Sequence, residues 1–359
     1  MDVGVYGTDR SVAPAAPTAA PGDRTCLSPV APGVIRQFVE TGRFAEVVRF
    51  LRDQSYTRLE GNPELSLLFG IALARIGRQL EGRQWILTAL RGAQDRALGD
   101  VEARAFNALG ALAFEAGDSA EARECWLTAR AVATKLRDFV TVGRCSYNIG
   151  ILENLLGRYG EAAGAYTVAI AAYERSRFPH GAAESRHNLA ITLRDQGQLS
   201  DAFEAASRAV DGAHAIQDTE LLARALAGRA EVRAAMGDAS AVQEIEEALA
   251  LHRKMEDVVD ESEDLRVLGL TLASAGDADR AEAVLRDTIV RARRFQRPLL
   301  QAAASRDLAG LLRSQGRVDE AWALTAAARD QFEACGATAE VQKLDALIDE
   351  KATAQIRPS

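Results

Sequence analysis

Lysine is almost missing from this sequence. Lysines and arginines together number 43, yet only Lys135, Lys254, Lys343 and Lys351 are lysines. With abundant alanine, that balance reads as the coding bias of a GC-rich genome. Acidic residues number 51, so the formal net charge is −8. A general nucleic-acid binder needs a basic field to attract phosphates, and this chain carries the opposite sign. The densest basic run, "RARRFQR" from Arg291 to Arg297, falls where a helix should end and complements the helix dipole. Cysteines number four, Cys26, Cys125, Cys145 and Cys335, far apart and with no CxxC. That pattern fits neither a zinc site nor a dense disulfide framework and points to a reducing compartment. No run approaches the roughly 18 apolar residues of a membrane span, and the N-terminus has no signal-like apolar core. The expectation is a cytoplasmic protein with no membrane and no direct nucleic-acid partner.

Catalytic signatures are also lacking. There is no phosphate-binding GxxxxGK[ST], no GxGxxG, no HExxH and no GxSxG. The expectation is no enzyme, no cofactor and no metal. The four histidines are scattered; His214 and His252 should sit solvated near helix C-termini. The acidic stretch from Glu244, "EIEEALALHRKMEDVVDESED", reads as a solvated helix face, with a contact surface for a basic partner as its alternative.

What is present is a ruler. Residues 1–33, rich in Pro, Ala and Gly, read as a flexible tail. Beyond them a Gly followed five positions later by Ala recurs as "GDSAEA", "GRYGEA", "GQLSDA", "GDADRA" and "GRVDEA". Weaker copies start at Gly42, Gly77 and Gly237. From Gly77 to Gly316 the glycines lie 40 residues apart, with a single interval of 39 where one turn has lost a residue. Seven positions before each lies another small residue: Gly70, Gly110, Gly150, Ala190, Ala230, Gly269 and Ala309. This predicts two antiparallel helices per repeat. Small residues let the backbones approach, and the turn glycine supplies a left-handed conformation at the end of helix A. In helix B, the Ala is followed four later by Trp126, Tyr166, Ala206, Leu285 or Thr325, on one face. Asn62–Pro63 reads as a cap and first-turn proline, and Pro179 and Pro298 as starts of later A helices.

That spacing resembles the tetratricopeptide repeat, in the long variety of about forty residues found in kinesin light chains and in sensor regions of large bacterial regulators. The resemblance covers residues 34–335, with eight copies. It implies an all-α, right-handed superhelical solenoid, with residues 336–359 as a capping helix and short tail.

The five asparagines sharpen the reading. Asn62 is the cap. The other four, Asn107, Asn148, Asn154 and Asn188, fall inside A helices of three consecutive repeats, where each costs roughly half a kcal/mol relative to Ala. In the family, helix A lines the concave face. With the small residue counted as position eight, the face positions are two, five, six, nine, twelve and thirteen. The asparagines occupy five, six and twelve, joined by Arg104, Arg144 and Arg224 at position two and by Tyr147 and His187 at position five. Amides can satisfy an extended peptide backbone, and guanidiniums can grip carboxylates. The resemblance thus implies a scaffold holding a protein or peptide segment, acidic or neutral, in the groove of repeats three to five. The asparagines could instead stitch neighbouring A helices together. A stand-alone bacterial regulatory sensor that takes a small effector or a transcription-related partner is the second reading, and an enzyme built on the scaffold the third.

Overall fold

The computed structural model describes residues 32–52 and 56–356. The expected tail lies outside the described residues, save its last two, which open the first helix. Every regular element among the described residues is a helix. The chain opens with α1 (Pro32–Glu40), α2 (Phe44–Arg52) and a single turn, α3 (Tyr56–Glu60). Antiparallel pairs follow: α4 (Pro63–Arg75) with α5 (Gln79–Asp95), and α6 (Gly99–Glu115) with α7 (Ser119–Leu136). Next come α8 (Phe139–Leu155), α9 (Tyr159–Arg175), α10 (Pro179–Asp195), α11 (Leu199–Ala215), α12 (Thr219–Ala235) and α13 (Ala241–Lys254). The array ends with α14 (Val258–Ser274), α15 (Ala278–Arg294), α16 (Pro298–Ser314), α17 (Val318–Ala334) and a last helix, α18 (Thr338–Ile356). Even-numbered helices from α4 to α16 are the A helices, and their odd-numbered successors are the B helices. The described residues belong to two compact units. Unit 1 is Met1–Ile149 with Arg175–Arg177, and unit 2 is Gly150–Glu174 with Phe178–Ser359.

Local chemistry sets the helix ends. The Asn62 side chain accepts from the Glu64 and Leu65 amides at the start of α4, and Pro63 takes the first turn. Aspartates do the same for later helices, as Asp118 does for Glu121 N and Asp277 for Arg280 N. The eight ruler glycines, Gly42 to Gly316, all have φ between +72° and +87°. A second left-handed series was not visible in the sequence. Ala97, Arg137, Arg177, Gln217, Glu256 and Gln296 close the B helices with φ of +54° to +58°. Without glycine at these positions nothing in the composition marks them, although left-handed backbone costs a side-chain-bearing residue roughly 1–2 kcal/mol.

Packing within a pair follows a size rule. A Cβ on Gly70 would lie 2.7 Å from Ile86 Cγ1, and one on Gly110 would lie 2.6 Å from Trp126 Nε1. The same overlap recurs between Gly150 and Tyr166 and between Gly269 and Leu285, each at 2.6 Å. Where helix A carries Ala instead, the facing residue shrinks to Ala206 opposite Ala190 and Thr325 opposite Ala309, but Ala230 shares its core with the fully buried Ile245. Trp126 and Tyr166 are therefore buried core groups. The Trp126 indole N–H donates to the Asn107 carbonyl at 3.2 Å. Helix α18 joins the core of unit 2 through Leu344, with Ala337 of the turn before it, against Ala302, Ala328 and Phe332.

Candidate functional site

The residues proposed for the concave face divide between the two units. In unit 1, Asn107 and Asn148 are both buried, at 3% and 0% exposure. The Asn148 amide donates to Asn107 Oδ1 at 3.3 Å, which ties α6 to α8, and the Cys145 thiol points to the same oxygen at 3.5 Å. Asn148 Oδ1 has no hydrogen-bond partner. Tyr147 is buried, whereas Arg104 and Arg144 are half-buried. Arg104 lies 3.6 Å from Glu64, which also holds Arg36. In unit 2, Asn154 Oδ1 accepts from Thr192 Oγ1 at 3.0 Å, and Thr192 donates to the Asn188 carbonyl as well. The Asn188 amide turns back to the Glu184 carbonyl at 3.4 Å. Arg224 lies 3.8 Å from Glu184. His187 packs over Gly228, where a Cβ would come within 2.7 Å of its ring. Desolvation, with the nearby Arg224 and Arg194 charges, pushes its pKa down to about 4 and keeps the imidazole neutral.

The largest polar feature of unit 2 lies on the same rows of its A helices, further along the chain. Arg194 of α10 is paired with Asp195 at 2.7 Å and with Glu231 of α12. Arg266 of α14 reaches back to Glu231 and forward to Asp307 of α16, both at 2.7 Å. Arg306 continues from Asp307 at 2.8 Å to Glu340 of α18, which holds Lys343 at 2.8 Å. This is a ladder of four cations and four carboxylates across five helices. Its middle is well buried, with the side chains of Arg266 and Glu231 each at 12% and Asp307 at 6% exposure. Burial opposes ionisation of Glu231, but Arg194 and Arg266 outweigh it and hold the carboxyl well below the usual carboxylate range. The sequence signal was available: Arg194, Glu231, Arg266, Arg306 and Asp307 occupy positions twelve, nine, five, five and six of their repeats. Counting acids without regard to register concealed it.

The acidic segment from Glu244 is solvated at Glu246, Glu247 and Glu256, as expected, but not at its first residue. Glu244 is 8% exposed and is held by Arg229 and by Arg233, the latter at 3.0 Å. His252, expected to be solvated, is buried at the end of α13 with Nδ1 2.6 Å from Asp264 Oδ2 of α14. Both correct the sequence reading for one reason: α13 turns this side toward its neighbouring helices. His214 is exposed in the last turn of α11, as expected. Burial disfavours the His252 imidazolium, yet the hydrogen bond and charge of Asp264, with Asp260 and Asp257, outweigh it and raise its pKa. Desolvation raises Asp264 to about 6. The folded pair thus retains protons that the unfolded chain releases, so its stabilisation is complete at acidic pH. That stabilisation is lost as pH rises through about 4 to 6 for Asp264 and above about 6.5 for His252. The unfolding temperature should therefore decline between mildly acidic and mildly alkaline pH, and Asp264→Asn should flatten that slope in calorimetric scans. An unchanged slope would remove the pair from the titration.

Stacked antiparallel pairs with small-on-large packing and a polar A-helix face define a helical-repeat protein. Two models described as tetratricopeptide repeat match residues 101–175 and 182–214, so the repeats of those stretches are tetratricopeptide repeats. A search of curated proteins by sequence finds no match. Among solved structures, the chain is similar to a Rap protein complexed with Competence and Sporulation Factor, at 14% identity and a TM-score of 0.59, over 89% of this chain and 96% of that one. It is also similar to aspartyl phosphate phosphatase F from Bacillus subtilis, at 14% identity and 0.65, over 84% and 82%. A third is the apo form of the quorum sensor NprR from B. thuringiensis, at 12% identity and 0.52, over 89% and 97%. At these identities the likeness is one of fold. Among the described residues no helix is long and apolar enough to cross a membrane, and no His, Cys, Asp and Glu cluster is arranged to hold a metal.

Proposed function

We propose that this chain is a non-enzymatic binding scaffold that holds an extended protein or peptide segment against its A helices. The observation that carries the reading is the distribution of polar side chains. Polar side chains recur on the A-helix rows at forty-residue steps, and those of Asn107, Asn148 and Glu231 are drawn out of water there, whereas B-helix charges such as Arg208 with Glu204 and Arg286 with Glu320 stand in solvent. In unit 1 the row at position two runs Glu64, Arg104, Arg144; Glu64 lies 3.6 Å from Arg104, and the two arginines leave the row net cationic and suit carboxylates of an acidic segment. In unit 2 the same row alternates, Glu184 then Arg224, and the ladder beyond it is neutral, so a segment there meets hydrogen-bonding groups rather than net charge. Asn154, His187, Asn188 and Arg224 would contact such a segment, with Asn107, Tyr147 and Asn148 setting the spacing of the helices behind Arg104 and Arg144. Capture from a native extract by the wild type and by Arg104→Ala/Arg144→Ala, at matched helicity, tests this. Loss of the captured protein in the variant is expected, together with elution by salt. Equal capture by both would move the working surface off these rows.

A regulatory sensor is the second reading. The fold is shared with a quorum sensor and with a Rap protein complexed with a named factor. In that reading the segment held is a signal peptide or small effector. The fold is also shared with an aspartyl phosphate phosphatase, so the non-enzymatic part of the proposal rests on this chain's own residues.

A further inference from the structure

The ruler glycines turn the chain from helix A to helix B at eight places, and at seven of them a built Cβ meets nothing within 4 Å. Gly157 is the exception. Its Cβ position lies 3.0 Å from the Cβ of Ala339 in α18. Two more contacts join the same places. Lys343 Nζ stands 5.2 Å from the Tyr159 ring centroid. Leu155 packs against the cluster of Phe332, Ala337 and Leu344. The last helix of unit 2 therefore touches the turn between α8 and α9, where that unit begins, and the unit closes on itself.

Capping does not require this contact. Helix α18 already covers the end of the array through Leu344, with Ala337 of the preceding turn, on Ala328 and Phe332. The closing seam is small: one alanine on a glycine, one leucine and one half-exposed cation on a ring. Contacts of that size are individually weak. The seam is also wired to the ladder, because Glu340 is shared between Lys343 of the seam and Arg306. A carboxylate arriving at Arg306 competes with Glu340 and so loosens the ion pair that ties α18 to α16, while Glu340 keeps Lys343.

We propose that α18 is a latch whose contact with the α8–α9 turn opens and closes while the helix pairs stay folded. In the open state the ladder end at Arg306 is accessible to an acidic segment. That last role rests on the binding reading above, whereas the opening itself does not. The test uses the full chain without a partner, so its failure is separate from a failure to bind. Tyr159→Ala/Lys343→Ala removes the half-exposed part of the seam, and Ala339→Trp wedges it. Amide hydrogen exchange and small-angle X-ray scattering are measured for both and for wild type. The expected result is several-fold faster exchange in the first turn of α9 and in α18, a larger radius of gyration, and unchanged helicity and protection in α10 to α17. Superimposable scattering and wild-type protection at the first turn of α9 in the double variant would overturn the proposal. So would loss of α17 protection together with α18, since the seam would then belong to the folding of the cap.

Discussion

Arg266→Ala should destabilise unit 2, by less than the roughly 3–5 kcal/mol of a fully stranded buried charge, because two buried carboxylates each lose one of two cations while Glu231 keeps Arg194 and Asp307 keeps Arg306. Arg266 spans Glu231 and Asp307 with separate guanidinium nitrogens, each bond at 2.7 Å. Lysine offers a single ammonium in place of that fork, so Arg266→Lys should fall between alanine and wild type. Removing the charges together should be far milder. A variant with Arg266→Met, Glu231→Leu and Asp307→Leu leaves no stranded charge among these three, although Arg194 and Arg306 then depend on Asp195 and Glu340 alone. Denaturant unfolding of the three variants decides it. If Arg266→Ala costs no more than the triple change, the ladder contributes no pairing energy. Acid should act as the single substitution does. The depressed Glu231 carboxyl contributes stability that is present above its unfolded value of about 4.3 and is lost as pH falls through its lower folded value.

The second large effect lies in unit 1. Trp126→Ala is expected to cost about 3–5 kcal/mol, from lost burial plus the cavity between α6 and α7. It also leaves the Asn107 carbonyl without the indole donor it now has at 3.2 Å. Gly110→Ala is the sharper probe because two effects oppose each other. Helix propensity favours alanine over glycine by about 1 kcal/mol. The new methyl would, however, lie 2.6 Å from the Trp126 ring nitrogen, inside any tolerated contact. Overpacking of that kind costs roughly 1–3 kcal/mol, so the net effect should be destabilising. Gly110→Ala/Trp126→Leu should be less destabilised than the sum of its single variants, since the methyl gains room. A stabilised Gly110→Ala, measured by thermal unfolding, would refute the size rule at this pair.

These two substitutions also mark how far the sequence could be read. The small-residue ruler, the turn glycines, the proline starts and the large residue facing each glycine follow from short-range sterics, which leave a trace at fixed spacing. Gly110 and Trp126 could therefore be paired from the sequence. The left-handed residues at Ala97 to Gln296 left no trace, because the backbone conformation there is imposed by the following helix rather than by residue type. The polar face was partly legible. Asn107, Asn148, Asn154 and Asn188 were conspicuous because they are rare in this chain, and the structure places them in contacts between and within A helices. The ladder was less visible because arginine and glutamate are common, and only register separates its members from solvated neighbours. His252 and Glu244 misled for a related reason. Their burial depends on which side of α13 meets α12 and α14, and for His252 it is the place held by the buried Ala292 and Ala213 in other B helices.

The most direct measurement of the binding face is amide hydrogen exchange of the full chain with and without the protein it captures from extract. Added protection should fall on the A helices, chiefly α6, α8, α10 and α12, with the B helices unchanged. Protection confined to B helices, or to the outer turns between repeats, would contradict a segment held on the A-helix rows.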